Sequence, residues 1–262
     1  NFQETPAPVV ANRTSPTNIG LYLLSVVSAR EFGWIGDLEA AERIEATMTT
    51  LGRLERYKGH LYNWYSTSDL RPLDPKYVSS VDSGNLAGHL IALAGRCRAW
   101  RGSSQDLQGA ARGALDAVAI ARAAASAADG QLSVTLLSEL DRLAAGIGGG
   151  SNRAAGVIDD FERALDAARA LAIASDDSTA GGCVHWIEAA RRCLESHRRD
   201  AAEAAQGGLN SRLEALEQNA RAMALEMDFA FLLDPDRLLL SIGYSIVGDT
   251  RDANGYDLLA SE

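Results

Sequence analysis

The sequence predicts a mainly α chain of antiparallel helices, interrupted by short β-hairpin excursions near 60–81 and 229–244. Three observations carry that reading. Apolar residues recur at helical spacing from Ile19 to Leu51 and again from Leu86 to Cys97. From Leu107 to Asp228 the chain is rich in Ala, Arg, Glu and Leu, and glycine clusters mark the breaks. Two stretches depart from the pattern, one after Gly59 and one after Met227; both are dense in aromatic or β-branched residues and hold Asp-Pro pairs suited to turns.

Taken in order, residues 1–13 contain Pro6 and Pro8 and are expected to be extended, because proline fixes φ and keeps its predecessor out of the α region. Ser15-Pro16 marks a helix start, with Ser15 as N-cap and Pro16 in the first helical position, where a missing N–H costs nothing. Ile19, Tyr22, Leu23, Val26 and Val27 follow at helical spacing, and Gly33 and Gly36 close the helix. Asp37 is the expected cap of a second helix that carries Leu38, Ala41, Ile44, Met48 and Leu51 on one face. Next, Leu61–Ser66 reads as strand-like, Leu70–Tyr77 holds two prolines and Val78–Val81 has a β-branched residue at each end, which suggests a short hairpin or paired excursion between two helices. Helix resumes through Leu86, Leu90, Leu93 and Cys97, with Asp82 or Ser83 as its cap, and Gly102–Ser104 ends it.

The Ala-rich segment should form about four to five helices, with breaks near Asp129-Gly130, Gly146–Gly150, Asp176–Gly182 and Gly207-Gly208. Met227–Tyr244 then reads as a hairpin: Phe229, Phe231 and Leu233 alternate, Asp234-Pro235-Asp236 turns, and Leu238–Tyr244 returns. The closing YDLLASE looks like the start of another helix. The expected organisation is one helical domain over 1–262: toroid-type helices with a rim hairpin in 1–101, the Ala-rich segment in 102–226, and hairpin plus helix start in 227–262. A chain that opens on Asn1 in an extended segment and stops within a helix start is expected to be part of a longer polypeptide.

Composition narrows the function. A net charge of −10 disfavours nucleic acid and anionic lipid as partners. Cys97, Cys183 and Cys193 lack the spacing of a disulfide framework and are expected to be reduced thiols. No apolar run reaches the roughly 18 residues of a membrane span, so no direct membrane contact is expected from this segment. There is no P-loop, dinucleotide fingerprint, HExxH or GxSxG motif, and the histidines and cysteines lack metal-ligand spacing. No cofactor and no metal is therefore expected. What remains is aromatics, amides, hydroxyls and carboxylates, which suit carbohydrate recognition: sugars present apolar C–H faces for stacking and hydroxyls for Asp, Asn and Arg.

Those groups concentrate in Gly59–Leu90. Trp64, between Tyr62 and Tyr65, is the stacking candidate, with a core aromatic as the alternative. Asp82 suits a helix cap that can also bond a sugar hydroxyl, and Asn85, three residues on, would point the same way. His60 and His89 read as structural. Arg13 is set either for a structural ion pair or for a ligand. Asp69, Asp74 and Asp82 are the local carboxylates, and nothing marks any of them as the proton donor of a glycosidase pair.

The segments RTSPTNIGLYLLS (13–25), FGWIG (32–36), GHLYNWYSTSDLRPLDPKYVSSVDSGNLAGHL (59–90), MDFAFLLDPDRLLLSIGY (227–244) and YDLLASE (256–262) closely resemble the central region of bacterial cyclic β-1,2-glucan synthases. The resemblance implies an enzyme on the cytoplasmic face of the bacterial inner membrane, within an integral membrane protein. In it a glycosyltransferase extends β-1,2-glucan from UDP-glucose, a central glucoamylase-like domain closes the ring by transglycosylation, and a phosphorylase-like domain trims the chain. It implies that the helices form part of an (α/α)6 toroid with the loops of one end as a sugar-binding rim. The implied partners are the β-1,2-glucan chain and other domains of the same polypeptide. The glutamates of ring closure would lie after YDLLASE, so no catalytic residue is assigned. At matching motif positions the resemblance marks substrate-binding candidates: Arg13, Thr14, Ser15, Asn63, Trp64, Tyr65, Asp82, Ser83, Asn85, Tyr256 and Asp257. A helical interaction or spacer module is the alternative reading.

Overall fold

The computed structural model describes residues 2–3, 5–102, 107–126, 134–135, 137–138, 140–141, 154–174, 180–204 and 207–255. Within them the chain is mainly helical: α1 (Pro16–Glu31), α2 (Asp37–Arg53), α3 (Ser80–Trp100), α4 (Leu107–Ser126), α5 (Ala154–Ala174), α6 (Ala180–Ala204) and α7 (Leu209–Leu225). Among the described residues eleven short strands lie before, between and after the helices, from β1 (Phe2–Gln3) and β2 (Val9–Val10) to β11 (Thr250–Arg251), all paired antiparallel. The contacts divide the chain into two units. One comprises Asn1–Val27, Ala41–Gly102 and Asn210–Glu262, the other Ser28–Ala40 and Ser103–Leu209. The expected breaks at Asp129-Gly130 and Gly146–Gly150, and the helix start at YDLLASE, lie outside the described residues. No described helix is long and apolar enough to cross a membrane.

In the first unit, α1 starts where the sequence predicts. Pro16 is its first residue, and the Ser15 hydroxyl accepts the Asn18 N–H at 3.3 Å. Apolar faces of α1, α2, α3 and α7 bury Leu23, Ile44, Leu51, Leu86, Leu90, Leu93 and Leu213. Gly20 is required on α1: a Cβ there would sit 2.2 Å from His89 Nδ1 on α3. The cap of α3 differs from expectation. Ser79, not Asp82 or Ser83, has the extended conformation, and its hydroxyl accepts the Asp82 N–H at 3.2 Å. Asp82 and Ser83 fall inside the first turn, which frees the Asp82 carboxylate for another helix.

The β excursions pair differently from local hairpins. β4 (Arg56–Tyr57) and β5 (His60–Leu61) do form one, with Lys58 and Gly59 both at positive φ as a two-residue primed turn demands. β6 (Tyr65–Ser66), however, pairs with β3 (Arg13–Thr14), and β7 (Tyr77–Ser79) with β10 (Gly243–Ser245). The pleat of 59–81 is thus completed by both ends of the chain. Val81 joins α3 rather than a strand. In the second excursion Ala230–Leu232 is a 3-10 turn instead of a strand, leaving β8 (Leu233–Asp234) and β9 (Leu239–Leu240) around the turn. Asp234 Oδ1 fixes that turn by accepting the N–H groups of Asp236 and Arg237 at 3.0 and 3.1 Å.

The second unit is organised around small side chains. α4 runs along α6, and α5 packs on α6. Their shared core holds Ala114, Val118, Ala121, Leu165, Ala168, Ile187, Ala190 and Leu194, with alanines that let helices approach closely. Cys183 and Cys193 are buried free thiols of this core, as is Cys97 in the other unit. Burial pushes the Cys193 thiol up to about 12. At the turn into α2, Trp34 N–H bonds Ala29 O at 2.8 Å and Gly33 N–H bonds Arg30 O at 3.0 Å, with Gly33 at φ +77°, the double closure of a Schellman motif. Four α6 side chains seize the same turn. Cys193 and His197 bond Gly33 O at 3.0 and 2.9 Å, Ser196 Oγ accepts Gly36 N–H at 2.8 Å, and Asp200 accepts the N–H groups of Asp37 and Leu38, both at 2.8 Å. The expected cap of α2, Asp37, instead bonds Arg30 Nε at 2.6 Å; the capping carboxylate comes from Asp200. A Cβ on Gly36 would lie 2.3 Å from Asp200 Oδ2, so only glycine fits there.

Burial pushes the Asp200 carboxyl above the ordinary carboxylate range, with the two backbone donors opposing that shift. A folded-state value above the unfolded one of about 3.9 means that folding takes up a proton here. The contribution of this group is therefore full below the unfolded value and declines as pH rises through the folded one. In urea unfolding, the stability of the native protein relative to Asp200→Asn is expected to be greatest near pH 3.5 and to shrink toward pH 7. A difference independent of pH would contradict this.

Candidate functional site

The site forms where α1 and α3 begin. Asp82 Oδ1 accepts the Thr17 hydroxyl at 2.6 Å and the Thr17 N–H at 3.4 Å. The carboxylate thereby lies at the positive end of the α1 dipole and satisfies a donor of its first turn. Asn85 Nδ2, one turn along α3, donates to Thr17 Oγ1 at 3.4 Å. Asp82 and Asn85 point the same way, as their spacing predicts, and both meet Thr17. Sequence reasoning did not single out Thr17. Its position after Pro16 was visible, but the carboxylate that it meets is 65 residues away.

Just before α1, β3 holds Arg13 against β6 in a register of Arg13 to Ser66 and Thr14 to Tyr65. The Arg13 guanidinium lies 4.7 Å from the centroid of the Trp64 ring, within cation–π range. Trp64 is half-buried, and its carbonyl accepts the Leu73 N–H at 2.9 Å, while Asn63 N–H bonds Tyr77 O at 2.8 Å. The indole is therefore held by backbone bonds on both sides and covered by Arg13 on one face. Arg13 and Thr17 are four residues apart, a span of at most about 14 Å, so the stacked pair and the carboxylate cluster lie close together.

Burial divides the remaining candidates. Tyr65 has no exposed surface: its hydroxyl donates to Glu55 O at 2.6 Å and accepts the Tyr62 N–H at 2.8 Å, and desolvation pushes the phenol well above its ordinary value. Ser15 is the buried cap of α1. The Ser83 hydroxyl is buried without a hydrogen-bond partner. Thr14 and Asn63 are half-buried beside the exposed Arg13 and the half-buried Trp64. Tyr256 and Asp257 lie outside the described residues. Asp69 is bound by Arg71, whose Nε donates at 2.7 Å, and that bond lowers its carboxyl to about 2, so it is ionised at neutral pH.

His60 is fully buried, bonded through Nε2 to Asp228 O at 2.9 Å and edge-on to Phe229 and Phe231. Burial lowers its pKa, which keeps it neutral as a structural residue. Beside it Tyr57 stacks on Tyr244 with centroids 5.7 Å apart, Phe231 meets both edge-on, and Lys58 lies over Phe231. This aromatic group was missed because Phe229 and Phe231 read as an alternating strand. Among the described residues no group of three or more His, Cys, Asp or Glu is arranged to hold a metal ion. The arrangement at α1 and α3 stacks and hydrogen-bonds; no described carboxylate there is set up as a proton donor.

No family model matches the chain. The chain is 44% identical over 282 residues to the cyclic beta-(1,2)-glucan synthase NdvB of Rhizobium meliloti (strain 1021), across 100% of this chain and 10% of that protein. It thus spans about a tenth of the length of the relative that it matches.

Removing the Asp82 carboxylate leaves Thr17 without its acceptor. Asp82→Ala is expected to lower unfolding stability by about 1–3 kcal/mol. In a double-mutant cycle with Thr17→Val the two should couple by about 1 kcal/mol; additive effects would contradict the contact.

Proposed function

We propose, from the premise that this chain corresponds along its whole length to a region of a cyclic β-glucan synthase, that it contributes scaffold and a glucan-binding rim to the cyclisation (transglycosylation) region of such an enzyme. The observation that carries the proposal is the 44% identity over the whole chain. In this reading the helices are part of an (α/α)6 toroid, the paired strands around 56–79 and 233–251 belong to its rim, and the parent enzyme works at the cytoplasmic face of the inner membrane. The acid and base of ring closure are assigned to other parts of the polypeptide.

The local chemistry supports a neutral, polyhydroxylated ligand. Arg13 occupies one face of the half-buried Trp64 ring, and the proposal assigns the C–H surface of a glucosyl unit to the opposite face. Asp82 keeps spare lone pairs beside its bonds to Thr17, and the Asn85 amide adds a donor and an acceptor for hydroxyls. An uncharged glucan is not repelled by a chain of net charge −10. The second unit has its own alanine-rich core and none of the described candidate residues, and this favours for it the other reading, a helical interaction module toward neighbouring domains.

Calorimetric titration with linear β-1,2-glucooligosaccharides tests the proposal. Trp64→Ala is expected to weaken binding about tenfold, equivalent to about 1.4 kcal/mol. Tyr65→Phe, which loses an internal hydroxyl, should cost about 1–2 kcal/mol of stability and leave affinity unchanged. Equal affinity of the native protein and Trp64→Ala would remove the rim reading.

A further inference from the structure

A second surface of the first unit has the features of a saccharide site. A groove of about 420 Å³ runs between α2 and α7. One wall follows α2 through Glu45, Met48, Thr49 and Gly52, and the other follows α7 through Arg212, Leu216, Asn219 and Met223. Both sets recur every three or four residues, so each is one stripe of its helix, and 45 to 52 alone covers about 10 Å of axis. The groove is elongated rather than globular.

An ion pair stands at each end. Arg212 forks onto Glu45, with Nε to Oε1 at 2.8 Å and Nη2 to Oε2 at 2.6 Å. Arg56 reaches Glu226 at 3.4 Å and also donates to Leu51 O at 3.0 Å. Two arginines and two glutamates cancel, so the groove offers no net field to a phosphate or a cation. Paired this way, the groups hold donors and acceptors at fixed positions along the groove. The floor is apolar, with Met48 and Leu216 buried and Met223 half-buried, while exposed Thr49 and Asn219 add polar contacts midway. A Cβ on Gly52 would meet nothing within 4 Å, and a glycine inside a helix costs about 1 kcal/mol relative to alanine. The packing does not require Gly52; its effect is to keep the α2 wall of the groove low.

We propose that this groove holds a segment of a neutral, linear oligosaccharide, apart from the Trp64 platform. An apolar floor between fixed, charge-balanced donor and acceptor pairs is complementary to a sugar chain with C–H faces and equatorial hydroxyls. A charged nucleotide sugar is disfavoured by the same balance, and a purely apolar helix would cover the two ion pairs and Asn219 without offering them a hydrogen bond. The choice of β-1,2-linked glucose as the saccharide rests on the function proposed above; the groove chemistry by itself specifies only a neutral saccharide.

The test titrates the full chain with β-1,2-linked glucotetraose and, separately, with a β-1,4-linked glucotetraose. Variants are Asn219→Leu and Gly52→Leu, both at exposed helix positions, and Trp64→Ala, each checked for native helicity by circular dichroism. Two classes of site are expected for the β-1,2 ligand, with either groove variant weakening one class about tenfold and Trp64→Ala weakening the other. If both groove variants fold and bind either saccharide as the native protein does, the groove proposal is overturned. Loss only in Trp64→Ala leaves the rim reading standing and removes the groove. Loss only in the groove variants supports the groove and removes the rim. Binding of the β-1,4 ligand alone, lost in the groove variants, keeps a saccharide groove and removes its link to β-1,2-glucan.

Discussion

The bond between Asp82 and Thr17 decides how the candidate site is built. A carboxylate on the first turn of α3 terminates the donors at the first turn of α1, so the start of one helix is located by the start of the other. Because α1 follows directly on β3, fixing its first turn also fixes where Arg13 and Thr14 meet β6, and with them the guanidinium over Trp64. The aromatic surface and the carboxylate are thereby parts of one construction. Ser79 makes this possible by capping α3 itself and releasing Asp82 for the neighbouring helix.

The second unit repeats the device. Asp200 on α6 takes the first N–H groups of α2, and Cys193, Ser196 and His197 hold the turn before it. In both units a helix start that a local side chain was expected to cap is bound by a carboxylate from a distant helix. At Asp200 burial raises the carboxyl and two N–H donors oppose that shift; Asp82 is met by one hydroxyl and one N–H, both of Thr17. Around these fixed points the two cores differ: large aliphatics in the first unit, alanines in the second.

These differences explain what the sequence disclosed. Helix cores and the α1 start were legible because 3.6-residue periodicity and Ser15-Pro16 are local signals. Cap identity was not, since Asp37 and Asp82 are good caps by type: Asp37 gave way to Asp200 on a distant helix, and Asp82 to Ser79, three residues earlier, while its own carboxylate went to Thr17. The strand pairings of 59–81 were hidden because their partners are far apart in sequence: β6 and β7 are completed by residues near 13 and 244. In the site, the residue types were readable and their exposure was not. Trp64 and Tyr65 are neighbours of similar character, yet one lies half-buried under Arg13 and the other is sealed by two internal hydrogen bonds. The α2–α7 groove left no sequence signal, because paired charges on helix faces look like ordinary solvated surface.

The proposed recognition surface consists of one indole face, one shared carboxylate and one amide, placed by two helix starts. The most direct test is a structure of the protein with a β-1,2-linked glucotetraose bound. The account predicts a glucosyl ring on the Trp64 face opposite Arg13, with a hydroxyl within hydrogen-bond distance of Asp82 or Asn85. A ligand that leaves Trp64 uncontacted would contradict it.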